Sequence, residues 1–446
     1  MSVVSKPFSN NHQGQSTSHK QLRPHLVEVV CYTTKNMTLF SKSGGATRVG
    51  AIIEIGSGSV LTAVVVSEAS EKQPTIVWAK REFANIGIDY DFARSIKSML
   101  TALMNSMIAL DSEGRAALSE SFPRHNIETL QVSITAPWSY TISKVIEYEN
   151  ETPFTITSAL IDNLTEKANE KTMEALSESE KEHGSGLTIM TRATTDVTAN
   201  GYRTMSPIGQ TASVVALTQV SAIAQNLMTS AIEDLRQRMF TRTKLERYSA
   251  MLVFHSTIKD LYPDMTEYCL VDLTYEATEL AIVRGGVLQY TTYTPLGINT
   301  LVRNLATRLD IPQGDAETLL KRAYDADSLD SVAPGQKDAI NLLMKEYQDA
   351  LEVLFHETGD SLAIPKILFL HSSYLHERFF DNYIADAAKA ATSSAHTVHT
   401  LSHDLMLTQF TGEQKIDLLK RGIDTGVLMS GQFFHKQGSA ARFTQV

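Results

Sequence analysis

The sequence predicts an α/β protein of two lobes, and three observations carry that prediction. A chain of 446 residues exceeds the size at which one hydrophobic core stops growing. A strand–turn–strand unit occurs once in each half, over 49–66 and again over 268–294, which is internal duplication at the level of supersecondary structure. Apolar runs of strand length are mixed with stretches of helical period, the pattern of α/β layers.

In chain order, 49–55 (Val-Gly-Ala-Ile-Ile-Glu-Ile) reads as a buried strand and Gly56-Ser57-Gly58-Ser59 as a turn. Residues 60–66 and 75–80 follow as second and third strands. Ile96, Leu100, Leu103, Met104 and Met107 recur at helical spacing and predict an amphipathic helix over 91–110. A strand at 129–135 ends at Ala136-Pro137-Trp138, where proline removes a ladder donor, and 141–148 is the next strand. Thr157 and Ser158 can cap a helix that runs through the charged stretch to His183, whose charges predict a solvated face. Strands at 187–196 and 212–217 flank the hairpin-like Asn200-Gly201-Tyr202, and 219–239 reads as helix. The second half gives strands at 268–272, 278–284 and 287–294, with Gly285-Gly286 as a tight turn. Helices at 298–309, 315–324 and 336–357 follow, then a buried strand, 366–370, that ends at His371-Ser372-Ser373 before a further helix.

Composition narrows the function. The formal net charge is −10 with both signs interspersed, which argues against nucleic acid as the main partner, since phosphate binding needs a concentrated basic face. The two cysteines, Cys31 and Cys269, leave a disulfide or two buried thiols open, the latter being commoner in reducing compartments. No CxxC or HExxH spacing occurs, so no structural metal is predicted; His396, His399 and His403 read as a polar surface helix or loop. The Ser/Asn/Gln/His-rich start lacks the apolar core of a signal peptide and reads as a tail. The longest apolar runs are far short of a membrane span, so a cytoplasmic protein is expected.

The duplicated units, with a small αβ segment between them, resemble the actin-like ATPase superfamily, whose fold is ribonuclease-H-like, and within it the FtsA and PilM branch. In that branch a small αβ subdomain interrupts the first lobe after its first helix. Here 127–138, the helix after Phe154, and 187–220 around Asn200-Gly201-Tyr202 stand in that place and order. The resemblance divides the chain into an irregular or disordered 1–47, a first lobe over 48–123 and 212–250, an inserted subdomain at 124–211, a second lobe at 251–435 and a tail at 436–446. The family's first phosphate loop, strand-Asp-x-Gly-[Ser/Thr], corresponds to Glu54-Ile55-Gly56-Ser57-Gly58-Ser59. Its second, Asp-x-Gly-Gly-Gly-Thr-x-Asp, corresponds to Asp272-Leu273-Thr274-Tyr275-Glu276-Ala277-Thr278-Glu279, and its adenosine loop to His371-Ser372-Ser373.

The resemblance implies ATP and magnesium as cofactors, with Glu54 and Asp272 as the vestigial catalytic carboxylates. Gly56 and Gly58 keep the first loop open to backbone–phosphate approach. Thr274, Tyr275 and Glu276 replace the glycine run, so their side chains are expected to fill the phosphate pocket, with the Glu276 charge set against a triphosphate. His371-Ser372-Ser373 would crowd the purine. At most weak nucleotide binding is predicted, to be raised by Glu276→Gly. The function implied is a cytoplasmic scaffold or adaptor for cell division or type IV pilus assembly, binding a short peptide of a membrane-associated assembly protein and held at the inner face of the membrane by that partner. A homo-oligomer is compatible with this. The alternative is an ATPase that switches or polymerises, and a metabolic kinase ranks below both. FtsA-type proteins attach to membrane through a C-terminal amphipathic helix. In the end segment here Gly438 interrupts Phe433, Phe434 and Phe443, at a helix-interior cost of ~1 kcal/mol, so a disordered tail is predicted instead.

Overall fold

The computed structural model describes residues 47–446 apart from 87–91, 184–185, 205, 326–328, 330–331, 358–363, 373–377, 411, 422, 438–443 and 446. The tail expected over 1–47, but for Thr47, lies outside the described residues, as do Cys31 and Ser373; Cys269 is a buried free thiol.

Two five-stranded sheets repeat one plan. In the first, β1 (Arg48–Ile55), β2 (Ser59–Ser67) and β3 (Thr75–Phe83) form an antiparallel meander. β4 (Thr129–Ile134) and β9 (Lys244–Ser249) extend it in parallel, in the order β3-β2-β1-β4-β9. In the second, β10 (Tyr268–Leu273), β11 (Thr278–Arg284) and β12 (Val287–Thr294) make the same meander. β13 (Ile367–Ser372) and β14 (Thr397–Thr400) add the parallel strands, in the order β12-β11-β10-β13-β14. All of β2 and β10, and all of β1 after Arg48, are buried, which is why these strands read as unbroken apolar runs rather than alternations.

β4 corrects the predicted insertion boundary. It lies inside the first sheet, beside β1, with Glu54 opposite Ser133, and its last five residues are buried. The inserted unit is instead a third sheet, of β5 (Ser139–Thr155), β6 (Leu187–Ala199) and β8 (Thr211–Gln225), with the short hairpin strand β7 (Tyr202–Arg203). The helix α3 (Ser158–His183) covers it through a small core of Ile146, Ile156, Ile161, Leu164, Val215 and Leu217. β8 continues to Gln225, across residues read as helix from 219. Gln219, Ala222 and Ala224 have no strong strand propensity of their own, but ladders from β5 on one side and β6 on the other fix them as strand.

α1 (Phe92–Ala109) packs on β2 and β3 and passes through a π-turn (Leu110–Gly114) into α2 (Arg115–Ser121). In the second lobe, α6 (Ile298–Leu309), α7 (Gln313–Asp325), α8 (Pro334–Glu357) and α9 (Arg378–Thr392) build a separate core around Leu305, Tyr347, Leu370 and Phe380. The second lobe does not extend to 435. From Leu401 the chain returns to the first lobe through α10 (His403–Leu407), α11 (Gly412–Arg421) and α12 (Thr425–Gln437). Phe433 and Phe434 are buried there with Ile52, Tyr248 and Phe254, and Arg48 donates to the Phe434 carbonyl at 2.6 Å. Phe433 and Phe434, expected in a tail, are therefore core residues, while Gly438 and Phe443 lie outside the described residues. Beyond them Thr444–Gln445 forms a short strand, β15, antiparallel to β6. Among the described residues no helix is long and apolar enough to cross a membrane.

Candidate functional site

The duplicated topology brings the β1–β2 and β10–β11 turns together. Glu54 and Asp272 each stand one residue before the end of the innermost strand of their sheet. Both are nearly inaccessible, at 5% and 4%, and Asp272 lies close enough to Glu54 to help raise its pKa. Gly56, Asp272 and His371, separated widely in sequence, belong to the same region.

In the first turn the Gly56 N–H donates to the Ser59 carbonyl at 2.9 Å. The Gly56 carbonyl accepts from the indole Nε1 of Trp138, also at 2.9 Å. Trp138 is fully buried, so the Pro137-Trp138 pair is an internal prop of this loop. Ser59 Oγ accepts from Arg81 Nη1 at 2.6 Å. Gly58 is required by a close approach, since a Cβ there would lie 2.7 Å from the Tyr275 Cβ.

The second turn is tied inward. The Thr274 N–H and hydroxyl both donate to the Ala277 carbonyl, at 2.9 and 2.8 Å. The Thr274 and Tyr275 carbonyls accept from Ile298 and Asn299 at 3.1 and 2.7 Å, which satisfies orphan donors in the first turn of α6. Gly297 permits this contact, because a Cβ would come within 2.5 Å of the Ala277 nitrogen. Glu276 does not project toward a phosphate, as the sequence implied. Its carboxylate is paired twice with Arg303, at 3.0 and 2.5 Å, and accepts from Asn299 at 2.9 Å, with only 1% of the residue exposed. Glu276→Gly would therefore leave Arg303 with a buried, uncompensated charge rather than open a pocket.

The two loops bond directly to each other. Ser57 Oγ donates to Thr274 Oγ1 at 2.8 Å and accepts from the Glu276 N–H at 2.7 Å. Tyr275 lies over Gly58 and meets Phe83 edge to face, with ring centroids 5.9 Å apart. Thr274 and Tyr275 thus occupy the space between the two loops.

A buried polar seam runs behind the loops. Arg81 pairs with Asp424 at 2.8 Å and lies 3.8 Å from Glu54. Asp424 caps α12, its Oδ1 accepting from the Gly426 N–H at 2.8 Å. Glu54 rests against that helix start, where a Cβ on Gly426 would sit 2.7 Å from its Oε2. Burial raises the Glu54 pKa against the pull of Arg81; Asp424 and Asp272 push the same way as burial, and His371 opposes them. His371 Nδ1 lies 2.8 Å from Asp272 Oδ1, and its ring packs on Phe254. This histidine was expected to crowd a purine; its side chain instead faces the Asp272 carboxylate. Ser372 is buried at the end of β13. Glu279, opposite Asp272 in the ladder, is pushed up to about 8, first by burial and then by Asp272, while the Ala136 backbone amide of the first lobe favours its charged form.

This arrangement does not fit a magnesium-bound triphosphate. The loop amides that would cradle phosphates, those of Gly56, Thr274 and Glu276, are bonded to Ser59, Ala277 and Ser57. Each seam carboxylate already faces a donor of the protein: Arg81 for Glu54, His371 for Asp272 and the Ala136 amide for Glu279. The sequence did not reveal Arg81, Arg303 or Asp424. An Asp before a helix-forming run is a capping signal, but nothing local links Asp424 to an arginine 343 positions away.

No family model and no curated protein matches the chain. Among solved structures it is similar to a PilM–PilN type IV pilus biogenesis complex, with 13% identity and a TM-score of 0.50 over 87% of this chain and 98% of that one. It is also similar to ethanolamine utilization protein EutJ from Carboxydothermus hydrogenoformans, with 11% identity and a TM-score of 0.38 over 87% and 91% of the two chains. A third is a Bacteroides thetaiotaomicron protein described as having an actin-like ATPase fold, with 8% identity and a TM-score of 0.34 over 79% and 90%. At such identities the likeness speaks to fold alone. The chain has an actin-like ATPase fold with two lobes and a small αβ subdomain inserted in the first.

Proposed function

We propose that this chain is a scaffold or adaptor of the FtsA and PilM kind, without efficient ATP turnover, that binds a short peptide of a membrane-associated assembly protein. The observation that carries the non-enzymatic half is the Ser57 bridge to Thr274 and Glu276. It joins the two phosphate loops where a nucleotide would need them apart, and it consumes an amide donor that a phosphate would use. The peptide-binding half is supported by the likeness to a PilM–PilN complex and by the presence of a separate inserted sheet between β4 and β9. A role at the inner face of the membrane, in pilus assembly or division, is part of the same proposal. The absence of a spanning helix among the described residues is compatible with attachment through the partner.

The test is an anisotropy titration of synthetic peptides from the cytoplasmic segments of membrane proteins encoded beside this chain. One peptide is expected to bind in the micromolar range, with no change on adding Mg-ATP. Failure of the whole set, together with measurable ATP turnover, would favour the switching ATPase.

A further inference from the structure

The outer edge of β6 is partly covered from within the chain. β8 pairs with one side of β6 along its length. On the other side, β7 pairs with Thr198 and Ala199 as the return arm of a hairpin. Thr444 and Gln445 pair with Arg192 and Thr191. Among the described residues no other strand pairs with that side. An edge of this length offers a row of ladder groups to any extended chain.

The covered spot lies at the seam between insertion and first lobe. The Thr191 hydroxyl donates to the Arg247 carbonyl on β9, and β9 is the last strand of the first sheet. The covering residues are tethered to α12, which is rooted in the first-lobe core by Phe433 and Phe434. Only two residue pairs hold the tail strand, so its hold depends on the tether.

We propose that the outer edge of β6 is a strand-addition surface for extended peptide, and that the chain's own C-terminal segment is its resident occupant. The tail is a built-in competitor, and an incoming segment pairs with Thr191 and Arg192 only when residues 444–445 leave. The consequence for a partner rests on the peptide-binding reading above; occupancy by the tail does not.

The probe is a labelled synthetic peptide of residues 438–446, titrated into the full chain and into a chain ending at Gln437. The expected result is binding to the shortened chain and at least tenfold weaker binding to the full chain, where the tethered copy competes. A peptide carrying Thr444→Pro and Gln445→Pro, which cannot donate to a ladder, should bind neither. Equal binding to both chains, or no binding to the shortened chain at millimolar peptide, overturns the proposal. Hydrogen exchange on the full chain guards against misfolding of the shortened one. The Thr444→Pro/Gln445→Pro double variant should speed exchange of the β6 amides near Thr191 and Arg192 at least tenfold and leave β8 unchanged. Unaltered exchange in β6 would also overturn the proposal. Neither arm uses a partner protein, so failure here leaves the partner titration to be judged separately.

Discussion

The β1–β2 and β10–β11 turns occupy the same place in two sheets of identical order, yet they have diverged in opposite ways. In the first lobe Glu54 faces Leu61 and Ser133 across the ladders, and the turn keeps Gly56 and Gly58. In the second lobe Asp272 faces Glu279 and His371, and the turn has become Thr274-Tyr275-Glu276-Ala277. One turn is glycine-rich and spare; the other is stitched to α6 through its carbonyls and through Glu276. Both carboxylates are buried strand-end groups with partners, which are costly to remove. In the second turn the Thr274 and Glu276 amides are bonded to Ala277 and Ser57.

The strongest way to break this comparison is to cut the stitching of the second turn. Glu276→Ala leaves Arg303 buried without its bidentate partner and should cost roughly 3–5 kcal/mol, read by calorimetry as an earlier transition. Glu276→Gln with Arg303→Met should recover most of the loss, because the uncompensated charge is gone. If Glu276→Ala were neutral, the second turn would not be structural.

Next in size is a pH effect at Glu279 in the second lobe. Burial and Asp272 hold Glu279 near 8 against an ordinary value of 4.5. A group raised in the folded state favours folding fully below its unfolded value, and that contribution is lost as pH rises through its folded value. Glu279→Gln, which stays neutral and keeps an acceptor for the Ala136 amide, should therefore gain on the parent between pH 4.5 and about 8. The gain at pH 9 should be roughly 2–4 kcal/mol. A constant difference between the two proteins from pH 5 to pH 9 would contradict the assignment.

The part of the molecule legible in the sequence follows from how each element is specified. The inner strands β1, β2, β10 and β11 are buried on both faces and announce themselves as apolar runs such as Ala51-Ile52-Ile53 and Val64-Val65-Val66. The outer parallel strands do not: β9 reads Lys-Leu-Glu-Arg-Tyr-Ser and β14 reads Thr-Val-His-Thr, and pairing with a neighbour rather than propensity makes them strands. β4 was legible as a strand but not as part of the first sheet, because the boundary of an insertion is a tertiary fact. Convergence of Glu54, Asp272 and His371 followed from the duplicated order. The ion pairs around them did not, since Arg81 beside Glu54, Asp424 on Arg81 and Arg303 on Glu276 belong to elements whose local sequence carries no trace of the contact. Glu276 shows the limit most clearly: its charge was legible, its direction was not.

A smaller effect sharpens the claim that Tyr275 closes the space above the first turn. Gly58→Ala places a Cβ 2.7 Å from the Tyr275 Cβ and should cost roughly 1–3 kcal/mol by overpacking. Adding Tyr275→Gly should remove most of that penalty, a coupling that a double-mutant cycle reads directly. Smaller again is Ser57→Ala, which removes both inter-loop bonds and leaves the Glu276 amide unsatisfied, for roughly 1–2 kcal/mol. Additive effects of Gly58→Ala and Tyr275→Gly would mean that the two turns do not meet.

The most direct test of the central claim, that the two turns close on each other in place of a nucleotide, is isothermal titration of the full chain with Mg-ATP. The structure predicts no binding tighter than about 1 mM, a free energy of roughly −4 kcal/mol, and no turnover above background. Submicromolar binding, with hydrolysis abolished by Glu54→Ala or Asp272→Ala, would contradict it and identify a divergent but working ATPase.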